Sequence, residues 1–335
     1  MDLSSLKRMS FKHKNNKPLF YLKGYIRLII PNWSYRRNLK KELSKIDNYD
    51  AESICKRVDY YNKLDGNYTM PEGVDCLSDF RIGKKLKIYF FDTYRYTRYF
   101  NTKLSIHLLF GDIVYVPDKP SIVKSRPIGN DNANSVILKL GSVRHFLFVK
   151  DKNLFEKKKD MLVFRGKVNQ PHRARFMDMY YGHPLCNIGQ VKRSKNQKWL
   201  DPSYKKQIPD DKWKVARMTI SEQLKYKFIL CLEGNDVASN LKWVMSSNSI
   251  AVMPKSKYET WFMEGTLIPN HHYIAIKDDY SDLEERLNHY IQHPDEAKKI
   301  IQNAHEYIKP FKNKKTEKLI SLLVLQKYFE KTGQL

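Results

Sequence analysis

The sequence predicts an α/β protein with parallel, doubly wound sheets, on two observations. In the C-terminal half, apolar runs of strand length alternate with segments of helical periodicity, and strands that alternate with helices pair in parallel. The second observation is size: 335 residues, 41% of them hydrophobic, exceed one average core and suit two packed domains. We therefore expect two α/β domains, preceded by a different kind of segment.

That segment is residues 1–50, which we expect to form a basic amphipathic arm. It carries 12 Lys and Arg against 4 Asp and Glu. Within it, Pro18–Trp33 interleaves aromatic and aliphatic residues with Lys23 and Arg27. Basic residues around an aromatic-rich amphipathic stretch favour contact with an anionic membrane surface. The alternative is an ordinary helix that packs on the first domain.

Residues 51–155 are predicted to form the first Rossmann-like domain. Its boundary is placed at the charged junction Asn153–Asp160. The expected elements are a strand at Lys85–Asp92, a helix from Tyr94 followed by strand or loop to Gly111, strands at Asp112–Val116, Ser135–Leu140 and His145–Val149, and a loop at Gly129–Asn134.

Residues 156–310 are predicted to form the second Rossmann-like domain, and residues 311–335 a helix that packs back on the first. The expected strands are Met161–Phe164, Phe228–Leu232, Ser249–Met253 and Tyr273–Ile276. The expected helices are His172–Tyr181, Ile220–Tyr226, Ser281–Gln292, Asp295–Lys309 and Lys315–Lys331.

A candidate phosphate site follows the strand at Phe228–Leu232. The strand is broken at Gly234, and Asn235 or Asp236 is expected to cap a helix whose apolar face includes Val237 and Leu241. Free backbone N–H groups at a helix start attract phosphate. The candidate ligands are Gly234, Asn235, Asp236, Val237, Ala238, Ser239, Asn240 and Lys242. The alternative is a structural strand–turn–helix unit, because neither G-x-G-x-x-G nor a P-loop is present.

Two blocks of the sequence resemble glycosyltransferase family 90. The first is FRGKVNQPHRARF at Phe164–Phe176, and the second comprises CLEGNDVASNLKW, SSNSIAVMP, YETWFMEG and HHYIAIKDDYSDLEERL. The resemblance spans roughly residues 110–310 and is closest to the bacterial lipopolysaccharide-modifying branch. The family also includes fungal capsule-associated proteins and animal protein O-glucosyltransferases.

The resemblance implies the GT-B architecture, with two Rossmann-like domains flanking a cleft. It implies transfer of a hexose, expected to be glucose, from a UDP-sugar donor to a lipopolysaccharide core oligosaccharide acceptor. The domain at 51–155 would then hold the acceptor and the domain at 156–310 the nucleotide sugar. Capsule polysaccharide or protein as acceptor is the alternative.

Two arginines match the F-R-G-x-x-x-x-x-x-R element of the family. Arg173 matches the second arginine, which implies contact with the donor phosphates through its planar guanidinium. Arg165 is either a second phosphate ligand or a structural residue that bridges carbonyls. Asn240 departs from the eukaryotic relatives, which carry Arg there, so Lys242 or Arg173 would have to supply the positive charge.

Asp118 is the predicted catalytic base. It precedes Lys119-Pro120 and resembles the D-x-P position that supplies the carboxylate in animal members. An ionised Asp accepts the acceptor's proton as the sugar carbon is attacked, and one base without a second nucleophile implies inversion. The alternative is an Asp that stabilises a turn. The candidate acceptor or sugar contacts are Lys124, Ser125, Arg126 and Glu259.

No metal or cofactor is expected. The acidic pairs Asp210-Asp211 and Asp278-Asp279 do not form the D-x-D motif of metal-dependent transferases. A helix N-terminus and cationic side chains would instead stabilise the leaving diphosphate. The four cysteines are widely spaced, which favours a reduced cytoplasmic compartment over a zinc site or a disulfide framework.

A net charge of +25 indicates anionic partners. We expect these to be inner-membrane lipids and the phosphorylated acceptor, with the protein peripheral on the inner face of the cytoplasmic membrane. Nucleic acid is not expected, because no nucleic-acid-binding motif is present. The alternative from another functional class is a non-catalytic basic scaffold that binds membrane or nucleic acid.

Overall fold

The computed structural model describes residues 13–71, 73–83, 87–191 and 212–335, and it confirms an α/β protein with parallel sheets. The chain forms two compact units. The C-terminal unit contains the described residues of Leu147–Ser256 and Leu267–Ile308, together with His13 and Lys14. The N-terminal unit contains those of Asn15–Phe146, Lys257–Thr266 and Lys309–Leu335. The domain limits expected from the sequence, 51–155 and 156–310, stay predictions.

The C-terminal unit is built on a five-stranded sheet in the order β10-β8-β7-β5-β6, with every neighbouring pair parallel. Its strands are β5 (Lys159–Gly166), β6 (Cys186–Gln190), β7 (Tyr226–Leu230), β8 (Ile250–Met253) and β10 (Ile274–Ala275). All residues of β7 and β8 are buried, as expected for central strands covered on both faces.

Helices cover this sheet because each parallel connection needs a crossover. They are α7 (Pro171–Tyr180), α8 (Ile220–Gln223), α9 (Leu241–Val244), α10 (Leu283–Gln292) and α11 (Pro294–Lys312, of which this unit contains residues up to Ile308). Helix α8 begins with a capping box in which Thr219 and Glu222 satisfy each other's backbone N–H groups. A short 3₁₀ turn, Phe155–Lys157, precedes β5.

The N-terminal unit contains a smaller parallel sheet in the order β1-β2-β4 and an antiparallel pair, β3 with β9. The strands are β1 (Leu108–Leu109), β2 (Ser121–Val123), β3 (Ser125–Pro127), β4 (Ser135–Ile137) and β9 (Tyr258–Thr260). Arg126 of β3 lies directly opposite Glu259 of β9. The two sequence-distant segments therefore join through this pair of strands.

Several helices of this unit pack against the last helix of the chain. The helices of the unit are α1 (Lys17–Ile29), α2 (Asn32–Arg37), α3 (Leu39–Leu43), α4 (Ala51–Tyr61), α5 (Lys87–Thr97), α6 (Ser142–His145) and α12 (Lys314–Lys331). Two 3₁₀ turns, Ser44–Asn48 and Glu264–Thr266, complete the unit. Helix α12 packs against α3, α4 and α5.

The strand predicted at Lys85–Asp92 is wrong, because its described residues belong to helix α5. The segment combines aromatic and β-branched residues, which favour strands. In the structure, α5 buries most of its surface, including Phe90, Phe91 and Thr93. A helix that is buried nearly all round shows no helical periodicity, so the sequence pattern resembled that of a strand.

Two further strands in this unit are also wrong. Residues 112–116 are irregular, and the segment at 145–149 is the end of α6 followed by irregular chain. The strand at Ser135–Leu140 is confirmed in its first three residues, β4. In the C-terminal unit the predicted strands and the helix at His172–Tyr181 are confirmed within a few residues, while the helix at Ile220–Tyr226 ends at Gln223.

Candidate functional site

The strand order of the C-terminal unit places a topological switch point between β5 and β7. The chain runs from β5 outward to β6 on one side and from β7 outward to β8 and β10 on the other. Ligands of open parallel sheets bind outside the carboxyl ends of the strands at such a point. The F-R-G block begins in the last residues of β5 and continues beyond it, and the G-N-D block follows β7, so both sequence blocks lie at this edge.

Arg173 joins the two blocks directly. From the first turn of α7, its guanidinium donates to the carbonyls of Leu232 (2.8 Å), Glu233 (2.8 Å) and Lys167 (2.8 Å). Its Nη2 atom lies 3.6 Å from the point where a β-carbon on Gly234 would stand. Three of five N–H groups are engaged by these carbonyls, which leaves donor capacity beside the loop.

Burial lowers the pKa of Arg173 to about 10, yet the group stays cationic at neutral pH. In the part of the chain that the structure describes, no carboxylate lies within ion-pair distance of it. This partly buried cation is hydrogen-bonded to carbonyls, which do not cancel its charge. The edge of the sheet at Gly234 is therefore electropositive.

Further hydrogen bonds hold the two loops together. The Gln170 amide donates to Asn235 Oδ1 (2.8 Å), and His172 Nε2 lies 2.9 Å from the Glu233 carbonyl. Side chains that follow β5 thus fix the backbone that follows β7. Because both loops are anchored, the N–H groups of the Gly234 loop have defined positions before any ligand binds.

The helix predicted to start at Asn235 or Asp236 is wrong in its start. Helix α9 begins only at Leu241, and residues 234–240 form an irregular loop. Asn235 and Ser239 are exposed on this loop, while Asp236, Val237 and Ala238 are buried. Asn240 donates to the Leu230 carbonyl (2.9 Å) and holds the loop against the end of β7. The loop therefore offers backbone groups and two exposed polar side chains, without a long helix dipole.

Two other candidate ligands have structural surroundings. Lys242 lies on α9 with 0% of its surface exposed, so its ammonium does not face the loop's solvent side. Arg165 donates to the carbonyls of Ala216 (3.1 Å), Asn187 (2.8 Å) and Phe164 (2.9 Å) and to Asn187 Oδ1 (2.7 Å). This arrangement matches the second of the two roles considered for Arg165, a structural residue that bridges carbonyls.

In the N-terminal unit, Asp118 is exposed on the turn that precedes β2. It therefore lies at the amino edge of the parallel sheet. Asp112, which the sequence analysis did not single out, follows β1 and lies at the carboxyl edge. There it forms an ion pair with Lys124, and Ser125 Oγ bonds both the N–H (3.1 Å) and the carbonyl (3.0 Å) of Ile113. Because residues 112–116 were predicted to form a strand, the loop after β1 was not expected.

Arg126 and Glu259 bind each other. Arg126 Nε donates to Glu259 Oε1 (2.8 Å), both side chains are almost fully buried, and Tyr60 donates its hydroxyl to Glu259 Oε2. Arg126 also donates to the carbonyls of Tyr60 (2.6 Å) and Ser135 (3.0 Å). Both residues are therefore committed to holding β3 and β9 together, and the sugar or acceptor contacts predicted for them stay predictions.

The predicted acidic pairs have different outcomes. Asp210-Asp211 lies outside the described residues. Asp279 accepts from the N–H (3.0 Å) and hydroxyl (2.8 Å) of Ser281, and these bonds lower its pKa. Among the described residues, no group of three or more His, Cys, Asp or Glu side chains could hold a metal ion. Metal independence of the reaction stays a prediction.

Comparison with known proteins identifies the family. The profile described as "Glycosyl transferase family 90" matches residues 143–329, more than half of the chain. "O-glucosyltransferase LpsA" from Dichelobacter nodosus is 39% identical over 318 residues, which cover 94% of this chain and 95% of that protein. "Uncharacterized protein 179R" from Invertebrate iridescent virus 6 is 30% identical over 141 residues, 39% of this chain and 12% of that protein. This chain therefore belongs to glycosyl transferase family 90 and is a glycosyltransferase.

Proposed function

We propose that the enzyme transfers glucose from UDP-glucose, with inversion and without a metal, to a core oligosaccharide of lipopolysaccharide. The relative named O-glucosyltransferase supports glucose as the sugar. The lipopolysaccharide acceptor rests on the resemblance of the sequence to the bacterial branch. The GT-B architecture belongs to the same proposal, with the donor on the C-terminal unit and the base on the N-terminal unit.

The observation that carries the proposal is Arg173 beside the Gly234 loop at the switch point of the sheet. A UDP diphosphate needs a cation and several N–H donors in fixed positions to stabilise the leaving group. Arg173 supplies the cation, and the loop supplies backbone donors at the edge where such sheets bind ligands. The exposed Asn235 and Ser239 side chains add hydrogen-bonding groups for the nucleotide.

Asp118 remains the base predicted from the sequence, and the geometry favours Asp112 as a second candidate. The carboxyl edge of a parallel sheet is where substrates bind, and Asp112 lies at that edge in its unit. Its ion pair with Lys124 holds the carboxylate in position at that edge. Either carboxylate would take the acceptor's hydroxyl proton as the bond to the anomeric carbon forms and UDP leaves.

We further propose that the protein works as a peripheral protein on the inner face of the cytoplasmic membrane. Among the described residues, no helix combines the length and the apolar character that a membrane span requires. Helix α1 instead exposes a row of large apolar side chains: Leu19, Leu22, Tyr25, Ile26 and Ile29. An amphipathic helix with an exposed apolar face and basic neighbours suits a membrane surface.

Thermal unfolding with a panel of nucleotides tests the donor. UDP and UDP-glucose, but not GDP or CMP, are expected to raise the melting temperature, and the shift should survive EDTA. A ligand at about 100 times its dissociation constant adds roughly 2.7 kcal/mol of stability. Arg173→Gln should remove the UDP shift. Arg175→Gln, two residues along the same helix with an exposed side chain, should retain it.

Matched carboxylate variants test the base. Asp118→Asn and Asp112→Asn are each compared with wild type for UDP stabilisation and for glucose transfer. The variant of the true base should lose turnover and keep the UDP shift. If both variants retain near-normal turnover, neither carboxylate is the base. If no nucleotide shifts the wild-type protein, the proposed donor chemistry fails.

A further inference from the structure

The N-terminal unit contains a cavity that the proposed transfer reaction does not use. Its volume is about 600 Å³, and helices α1, α5, α6 and α12 contribute to its walls. Sites for small molecules span roughly 300–1,000 Å³. None of the candidate donor ligands lines it, and neither Asp112 nor Asp118 does.

The lining of this cavity is strongly cationic. Its basic residues are Lys23, Arg27, Arg95, Lys139, Lys314 and Lys318. Its one carboxylate, Glu317, is already bound by Arg57 (2.7 Å) and Lys139 (2.5 Å) and accepts the Trp261 indole N–H (2.7 Å). The negative charge of Glu317 is thus already offset by Arg57 and Lys139.

Four of the six cations have no carboxylate within 4.0 Å among the described residues: Lys23, Arg27, Arg95 and Lys314. Arg27 is half-buried, and its pKa is lowered first by burial and then by the charge of Arg95. Like charges gathered in a partly buried cavity are unfavourable unless an anion joins them. The arrangement therefore suits an anionic ligand.

Helix ends and aromatic rings complete the cavity. The first turns of α1 and α12 lie in its wall, at Asn16 and Lys314, and helix N-termini favour anions. The aromatic side chains are Phe20, Tyr35, Tyr96, Tyr99, Phe146 and Phe311. Apolar and aromatic walls with a few convergent charges are typical of a site for an organic ligand that carries an anionic group.

The wall formed by α1 is held rigidly. Gly24 packs on the Phe91 ring so closely that an added β-carbon would lie 2.7 Å from it. Arg98 donates to the carbonyls of Arg27 (2.7 Å) and Ile30 (2.6 Å), and Asn15 donates to the carbonyl of Phe146 (3.0 Å). Both ends of α1 are fixed to the unit, so the cations that it carries have defined positions.

We propose that this cavity binds the phosphate-bearing headgroup of an anionic lipid, while the exposed apolar face of α1 lies in the membrane that contains that lipid. Two of the six cavity cations, Lys23 and Arg27, lie on the same helix as the apolar face, on which Ile29 and Leu22 are 82% and 57% exposed. Phosphate on a lipid satisfies both features. The inference rests on the proposed function only in placing the protein at a membrane surface.

Vesicle sedimentation of the intact protein tests the proposal. Three vesicle types are compared: phosphatidylcholine alone, with phosphatidylglycerol, and with phosphatidic acid, the two anionic types matched in surface charge. Wild type should bind phosphatidic acid vesicles most tightly, because only that lipid offers an exposed phosphomonoester. Diffuse surface attraction alone would give equal binding to the two anionic types.

A pair of charge-matched double variants locates the interaction. Arg27→Gln with Lys314→Gln removes two cavity cations, and Lys40→Gln with Lys41→Gln removes two exposed cations of the same basic region outside the cavity. Each basic residue near an anionic lipid changes the dissociation constant about fivefold, so the cavity variant should weaken phosphatidic acid binding about 25-fold. The control variant should keep the preference for phosphatidic acid over phosphatidylglycerol.

Equal losses of the phosphatidic acid preference in the two double variants, or no lipid preference in wild type, would overturn the proposal. The proposal would also be overturned if inorganic phosphate stabilised wild type and the cavity variant equally and the cavity variant bound lipid as wild type does. Folding of each variant is checked by its melting temperature without ligand. UDP stabilisation is recorded separately, because its absence would count against the proposed donor chemistry and not against lipid binding.

Discussion

Replacing Arg126 by Met is expected to destabilise the N-terminal unit by about 3–5 kcal/mol, because it leaves the Glu259 carboxylate buried without its cation. Arg126 is 0% exposed and Glu259 is 1% exposed. Their 2.8 Å contact joins strands β3 and β9, which are 133 residues apart in sequence at this pair. Glu259→Met should cost a similar amount, since it leaves the guanidinium unpaired.

The double variant Arg126→Met, Glu259→Met should cost much less than the sum of the two single variants, because neither charge then remains buried alone. Urea unfolding, followed by circular dichroism and by tryptophan fluorescence, measures all four proteins of the cycle. The exposed pair Lys56 and Glu52 is the control, and its coupling energy should be only about 0.3–0.5 kcal/mol. Additive losses at Arg126 and Glu259, or single losses below about 1 kcal/mol, would refute the structural role of the pair.

Three further predictions concern the rest of the protein. Gly24→Leu should lower stability by about 1–3 kcal/mol in urea unfolding, because the Phe91 ring already fills the space beside it. Burial raises the pKa of Asp92 from 3.8 to about 6, so the stability of the wild type should fall as the pH rises from about 4 to about 6. In Asp92→Asn, the melting temperature should change less over the same pH range. A maleimide should label exposed Cys55 in the folded protein and leave buried Cys231 unmodified, as judged by mass spectrometry.

Each of these has a result that would contradict it. An unchanged midpoint for Gly24→Leu would mean that α1 does not pack on Phe91. Gly129→Leu is the control, because its φ is not positive and no atom lies within 4 Å of an added β-carbon. An identical pH profile for Asp92→Asn would show that another group titrates. Equal labelling of both cysteines would show that β7 and its flanking residues open readily.

The sequence predicted the C-terminal unit better than the N-terminal unit, for a physical reason. Strands β7 and β8 are short, continuous apolar runs bounded by Gly234 or Pro254, and such runs between helical segments have few other interpretations. In the N-terminal unit, the strands have only two or three residues, and α5 is buried on most sides. Neither feature produces a recognisable period.

The residues of the candidate site also differ in how well their positions could be predicted from the sequence. Arg173 and the Gly234 loop could be predicted together, because each carries a motif and the two motifs follow neighbouring strands. The pairing of Arg126 with Glu259 could not be predicted, since it depends on strand register between distant segments. The position of Asp112 at the carboxyl edge likewise required knowing where β1 ends.

Sequence and structure together indicate which side chain supplies positive charge at the donor loop. Asn240 carries no charge that could offset a diphosphate, and its amide donates to the Leu230 carbonyl (2.9 Å). Lys242 is fully buried on α9, so it does not present its charge to solvent at the loop. Of the cations considered for this role, we infer that Arg173 supplies the charge. Arg173→Lys would then keep the charge and lose the fork, so it should retain weakened UDP binding where Arg173→Gln retains none.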